Sequence, residues 1–227
     1  MKIVVHTATG NLNESINFYS KLSFQKISEK PLLFTDGKVT LEINPDHFAR
    51  PGLKLIKKSW QVEVKDLENL TTVTKTDSGY LLSDPNGVWV YLEESDAESK
   101  NSSENKPSSV LGNYAGISLE STDFSRSIEF WEKLGFSQNG GAPEYGYITL
   151  DNNGFGLSIM KAMACPHLFF NPSMTFFNGK NNLEIIKKIR ELKIPITEEI
   201  TQFNKEGIVD NIIIRDPGGF GFFIFND

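Results

Sequence analysis

The chain has 227 residues, enough for two modest domains that each bury a core, and its 39% hydrophobic and 23% charged content is that of an ordinary globular protein. Its 29 acidic against 23 basic side chains leave a net charge of -6, and no Lys/Arg cluster is interleaved with aromatics, so a nucleic-acid-binding surface is not expected. No apolar run approaches membrane-spanning length, the opening MKIVVHTATGN is not a signal peptide, and the single Cys165 cannot close an internal disulfide; the expected location is the cytoplasm.

In chain order, KIVVHTA reads as a strand. Leu12, Ile16, Tyr19 and Leu22 then fall at i, i+4, i+7 and i+10, the spacing of an amphipathic helix, with Asn11 and Glu14 placed as a capping box. LLFTDGKVTLEIN reads as a hairpin around Asp36-Gly37. INPDHFARPGLKL, 43–55, reads as a connection, and SWQVEVKDLENL, 59–70, as a strand leading into a helix. LLSDPNGVWVYLEE, 81–94, closes this half with a type I turn at Asp84-Pro85-Asn86-Gly87. Residues 95–109, SDAESKNSSENKPSS, carry no aromatic and no branched aliphatic side chain and read as a flexible linker.

The same order then returns. YAGISLE is the strand, and Phe124, Ile128, Trp131 and Leu134 make the helix, with Asp123 as its N-cap. SINFYSKLSF, 15–24, recurs as SIEFWEKLGF, 127–136, at an offset of 112, and Asp84-Pro85 recurs as Asp216-Pro217 at an offset of 132. The difference of 20 places extra residues in the second half, with 138–172 the expected region. YGYITLDNNGFGLSIM reads as a hairpin around Asn152 to Gly154, MACPHLFFNPSMTFF as a connection, and SMTFFNGKNNLEIIKKIRELKIPI as a strand and a helix over 182–192. The expected architecture is α+β: a domain over 1–94, a linker over 95–109 and a domain over 110–227, each domain a pair of βαβββ units forming a cupped mixed sheet.

NLNESINFYSKLSF, TDFSRSIEFWEKLGF, SDPNGVWVYLEE and RDPGGFGFFIF resemble the first-helix and last-hairpin signatures of the vicinal oxygen chelate superfamily, which includes glyoxalase I, bleomycin-resistance proteins and extradiol dioxygenases. The resemblance covers nearly all of the chain outside 95–109. It implies tandem glyoxalase-like domains whose concave faces hold a ligand, and in the enzymes a divalent metal bound by His and carboxylate side chains. Carried over by register, the three ligand positions fall on Gly116, Met174 or Thr175, and Phe223 in the second domain, and on Val4, Ser59 and Tyr91 in the first. None is a usual ligand, so no metal or other cofactor is expected. A shift of two residues along the strand brings His6 to the same face as Val4. With Glu42 and His47, His6 then gives the alternative of a divalent-metal-dependent lyase or isomerase.

Rings at Trp89, Tyr91, Phe220, Phe223 and Phe225 suggest aromatic-lined cups, although such rings also fill cores. His6 and Glu42 are candidate pocket groups or simply a hydrogen-bonded and a solvent-facing strand residue. Arg50 could grip a carboxylate, and His167 could rim a pocket, or the prolines around them could merely stiffen two connections. Cys165 with His167 does not read as a nucleophile pair, because i, i+2 spacing in an extended segment does not bring the side chains together. Glu120, in phase with Gly116 and Ser118, either points into the second cup or sits at the wet end of its strand. The candidate ligand-binding set is therefore His6, Glu42, Arg50, Trp89, Tyr91, Glu120, His167 and Phe223. The favoured expectation is a metal-free binder of a small organic molecule, of the bleomycin-resistance type, with no nucleic-acid or membrane partner. A homodimer, and a division of labour in which one domain binds and the other docks, are left open.

Overall fold

The computed structural model describes residues 1–96 and 109–226. The first half runs β1 (Lys2–Ala8), α1 (Leu12–Lys21), β2 (Gln25–Glu29), β3 (Leu32–Thr35), β4 (Thr40–Asn44), β5 (Gly52–Lys57), α2 (Gln61–Leu67), β6 (Thr74–Thr76), β7 (Gly79–Ser83) and β8 (Trp89–Glu94). The second runs β9 (Tyr114–Ser121), α3 (Phe124–Lys133), β10 (Ser137–Ala142), β11 (Tyr147–Asn152), β12 (Phe155–Lys161), β13 (Ser173–Phe177), α4 (Asn182–Glu191), β14 (Ile196–Ile200), β15 (Asn211–Arg215) and β16 (Gly221–Phe225). Each half makes its own eight-stranded mixed sheet, ordered β2-β3-β4-β1-β5-β8-β7-β6 and β10-β11-β12-β9-β13-β16-β15-β14. The chain therefore folds as tandem βαβββ pairs in which the opening strands of the two units, β1 with β5 and β9 with β13, lie antiparallel at the centre.

The helices form where the spacing puts them. Asn11 and Asp123 cap α1 and α3 by accepting from the amides of Glu14 and Arg126, which satisfies donors that the first helical turn leaves unpaired. Strand alternation sorts the two faces of each sheet. On β8, Val90 and Leu92 are fully buried toward the helices, while Trp89, Tyr91 and Glu93 turn to the concave side. The helix-facing residues of both halves merge into one apolar cluster that includes Tyr19, Phe34, Trp60, Phe130, Trp131 and Phe222.

Four expectations are corrected. Residues 52–55, taken as the end of a connection, belong to β5, whereas Ser59 and Trp60, taken as strand, lie just ahead of α2. Phe220 belongs to the shared core and not to a cup. The additional residues of the second half are divided among the β10–β11 turn and the connection 162–172, both inside the expected region, and the second unit outside it, where α4 exceeds α2 and the chain between β14 and β15 is long. Of the segment read as a linker, 97–108 lies outside the described residues, but Ser109 is buried and donates to Asp36, and Ser95 N–H continues the β5 ladder onto Lys57 O.

The repeated Asp-Pro turns join the halves. Asp216 uses Oδ1 to accept from Phe220 N–H within its own turn, and Oδ2 to accept from Thr7 Oγ1 at 2.8 Å and from the Tyr19 hydroxyl at 2.9 Å in the other half. A β-carbon on Gly218 would stand 1.8 Å from Ala8 O, so only glycine lets this turn approach β1 so closely. The counterpart turn caps itself in the same way, Asp84 Oδ1 accepting from the amides of Asn86 and Val88. Asn86 then carries the contact to the other half, donating to Ser127 Oγ at 3.0 Å and accepting from Thr122 N–H at 3.3 Å. Trp131, which occupies the place of Tyr19, brings its indole N–H near enough to Asp84 to favour the ionised carboxylate, yet makes no hydrogen bond of ordinary length. Burial dominates in both aspartates and pushes their carboxyls above the usual range, the surrounding donors pulling the other way.

Candidate functional site

The two concave faces have different contents, and strand register explains the difference. In the second half Gly116 pairs with Thr175, and Thr175 with Phe223, so the three positions singled out from the sequence do lie side by side. Thr175 faces the cup, and Met174 points into the core. In the first half the matching row is Val4, Lys54 and Tyr91. Lys54 therefore holds the place that sequence reasoning gave to Ser59.

The first cup is closed by an ionic and hydrogen-bonded cluster. Lys54 Nζ lies 2.7 Å from Glu42 Oε2 and 2.7 Å from Glu93 Oε1. His6 is buried beside them, with Nε2 4.0 Å from Glu42 Oε1 and 3.1 Å from Asn44 Nδ2, and Nδ1 2.9 Å from Arg50 O. A carbonyl can only accept, so Nδ1 carries the hydrogen and Nε2 the lone pair. Tyr91 packs against this ring with centroids 4.4 Å apart and planes tilted by 44°, and donates its hydroxyl to Arg50 O. Burial is the largest influence on His6 and lowers its pKa below 6.5, against the opposing pull of the Arg50 carbonyl and Glu42. Burial is also the largest single influence on Lys54 and would lower its pKa, but the hydrogen bonds and charges of Glu42 and Glu93 together outweigh it and the pKa is raised. Arg50 donates through Nη1 of its guanidinium to His47 O and Ala49 O, and the group lies 5.9 Å from the centre of the Trp89 ring.

A divalent metal, implied by the fold's best-known chemistry, does not fit either cup as built. In the first, an ammonium group already sits between the two carboxylates, and His47 is an exposed connection residue whose carbonyl is engaged by Arg50. In the second, the row contains no ionisable ligand, and among the described residues no three His, Cys, Asp or Glu side chains close on a common point.

The second cup is open, with a cavity of about 610 Å³, within the range of small-molecule sites. Its floor is made of small residues where the first cup has large ones. Ser118 and Ser158 are the paired counterparts of His6 and Glu42, Thr175 stands for Lys54, and Gly116 for Val4. Gly116 has φ +143°, and a β-carbon there would lie 2.4 Å from Gly156 O, so β9 and β12 approach too closely for any side chain at this point. Ser118 and Thr175 share one 2.6 Å hydrogen bond between their hydroxyls. Two hydroxyls carry two donors, one is used within the pair, and among the described residues nothing else takes the other.

One wall is aromatic. Phe223 and Phe225 are stacked at 5.5 Å and 10°, His167 meets both edge-on at 5.4 and 5.2 Å, and Phe169 packs on Phe223 at 5.1 Å. The connection 162–172 supplies His167, Phe169 and Cys165, and it is tied down at both ends, by Ala162 N–H to Ser121 O and by Asn171 Oδ1 accepting from Glu120 N–H, and along its length. Met163 N–H bonds to Glu120, Leu168 N–H bonds to Glu198 Oε2, and Pro166 O accepts from Gln202. Glu120 thus sits at the wet end of β9, outside the cavity lining, and serves the rim. Burial, with Glu120 as the lesser cause, pushes the Cys165 thiol up, and that opposes a thiolate nucleophile.

The candidate residues therefore divide by domain. His167 and Phe223 meet in the second cup, while His6, Glu42 and Tyr91 meet in the first, with Trp89 and Arg50 beside them. Lys54, Glu93 and Ser158 were missed, the lysine because its strand was read as a connection and the serine because small strand residues carry no signal of their own; Ser118 and Thr175 were placed on their strands but not counted as binding groups.

Neither a protein-family model nor a curated protein sequence matches the chain. Solved structures do. The 2,3-dioxygenase LapB from Pseudomonas sp. KL28 is 14% identical with TM-score 0.55, covering 97% of this chain and 89% of that one. A catechol dioxygenase described as the halotolerant BphC is 15% identical with TM-score 0.55, covering 97% and 84%. The Mn(II)-bound glyoxalase from Novosphingobium aromaticivorans is 14% identical with TM-score 0.54, covering 97% and 79%. At such identities the shared property is the fold: the two cupped βαβββ pairs described above make a tandem glyoxalase-like architecture, consistent with the fold of the vicinal oxygen chelate superfamily.

Proposed function

We propose that this protein binds a small planar organic molecule in the cup of its second domain, without a metal, and that the first domain is a closed scaffold for it. The observation that carries the reading is the replacement of His6, Glu42, Lys54 and Val4 by Ser118, Ser158, Thr175 and Gly116 at matching strand positions, which empties one cup of the pair. Rings pack well against the Phe223 and Phe225 wall, and burying a flat aromatic face there is favourable at about 25 cal/mol per Å² of apolar surface. The spare donor of the Ser118–Thr175 pair, deep in an apolar site, favours a ligand with one acceptor oxygen, because an unmade buried hydrogen bond costs about 1–3 kcal/mol. A bleomycin-resistance-like sequestering role agrees with such a site.

Native mass spectrometry of the purified protein, followed by calorimetric titration with 1-acetonaphthone and 1-methylnaphthalene, tests the reading. Binding of at least one probe, abolished when Ser158→Phe fills the floor, is the expected result. No retained molecule, and no binding of either probe by a folded protein, would overturn it. Thr175→Val is expected to weaken the ketone by about tenfold and leave the hydrocarbon unchanged.

A further inference from the structure

The first cup is full, and what fills it is a cation. β5 lies between β1 and β8, and β4 flanks β1, so the side chains of Glu42, His6 and Glu93 converge from three strands on a group carried by the fourth. That group is the ammonium of Lys54, 2.7 Å from one oxygen of each carboxylate. Two carboxylates against one ammonium leave the cluster one positive charge short of balance, and a divalent ion in place of the ammonium would supply it. His6 is also arranged as a metal-binding imidazole would be, with Nδ1–H donated to a backbone carbonyl and the Nε2 lone pair turned toward Asn44 and Glu42.

We propose that Lys54 is a built-in substitute for a divalent cation, and that Glu42, Glu93 and His6 form a latent cation site that opens when its ammonium group is removed. The donor set of two carboxylates and one imidazole suits Zn²⁺ or Mn²⁺. With Lys54 in place the donors are held apart around Nζ, which agrees with the lack of a three-ligand cluster among the described residues. The domain thus keeps the charge arrangement of a cation-centred cup while needing no metal to assemble.

The test uses the full chain, freed of metal by chelation, titrated with ZnCl₂ by calorimetry and by equilibrium dialysis with elemental analysis. Lys54→Ala is expected to bind one Zn²⁺ per chain, about 100-fold more tightly than wild type, the scale on which orienting partners change metal sites. Adding Glu42→Gln or Glu93→Gln to that variant should remove the gain. The proposal is overturned if wild type binds one ion equally well, if folded Lys54→Ala gains none, or if the gain ignores both glutamates. Should Lys54→Ala lack a cooperative unfolding transition, refolding with ZnCl₂ is expected to restore it, and Lys54→Gln serves as the second variant. No rescue of the first together with no zinc binding by the second also overturns it.

Discussion

His6 shows how one buried side chain makes stability depend on pH. Its imidazole is held below 6.5 mainly by burial, so the folded state binds a proton less readily than the unfolded chain. Its contribution is complete above 6.5 and is lost as pH falls through 6.5 toward the lower folded value. Urea denaturation at pH 7.5 and pH 5.5 should show a fall in the wild-type midpoint that His6→Gln makes smaller. Gly116 supplies a second residue-scale prediction. With φ +143° and no room beside Gly156 O, Gly116→Ala should cost about 1–3 kcal/mol of unfolding free energy by denaturant titration. Gly116→His should therefore weaken the domain and not create a metal centre.

At the scale of elements, the helices and opening strands were legible because periodicity reports a buried face directly. Leu12 to Leu22 and Phe124 to Leu134 have only one helical arrangement that hides their apolar side chains, and the structure adopts it. β5 was not legible, since Arg50-Pro51-Gly52 resembles a turn and a lysine between Leu53 and Leu55 suggests a wet strand. Lys54 becomes intelligible only beside Glu42 and Glu93, partners brought to it by sheet pairing. The empty cup was hidden for a related reason. The three positions carried over to the second half do lie side by side, but whether rings at such a row line a cavity or fill a core depends on the sizes of residues on neighbouring strands. The rim is an element-scale feature too: Glu198→Ala, which frees the Leu168 amide, should weaken binding of 1-acetonaphthone with little change in unfolding midpoint.

At the scale of the molecule, the repeat was visible in the sequence but its purpose was not. The Asp-Pro turns recur because each does two jobs, closing its own final hairpin and docking on the other half. Tyr19→Phe removes one of the two outside donors to buried Asp216 and should cost about 1–2 kcal/mol, measured by denaturant unfolding. Asp216→Ala removes the acceptor for Thr7, Tyr19 and Phe220 together and should cost more than Tyr19→Phe. No described helix is long and apolar enough to cross a membrane, and the apolar surface is spent instead on the core the two halves share.

The reciprocity of those turns also means that a continuous peptide is not what keeps the halves in place. Each presents a carboxylate or an amide that its own half leaves unanswered, so either piece alone would display an orphaned docking face. A two-piece version, with 1–96 and 109–227 produced as separate polypeptides in one cell, should therefore assemble unaided and elute as a single species carrying both. Tyr19→Phe combined with Asn86→Ala should make the pieces part on dilution.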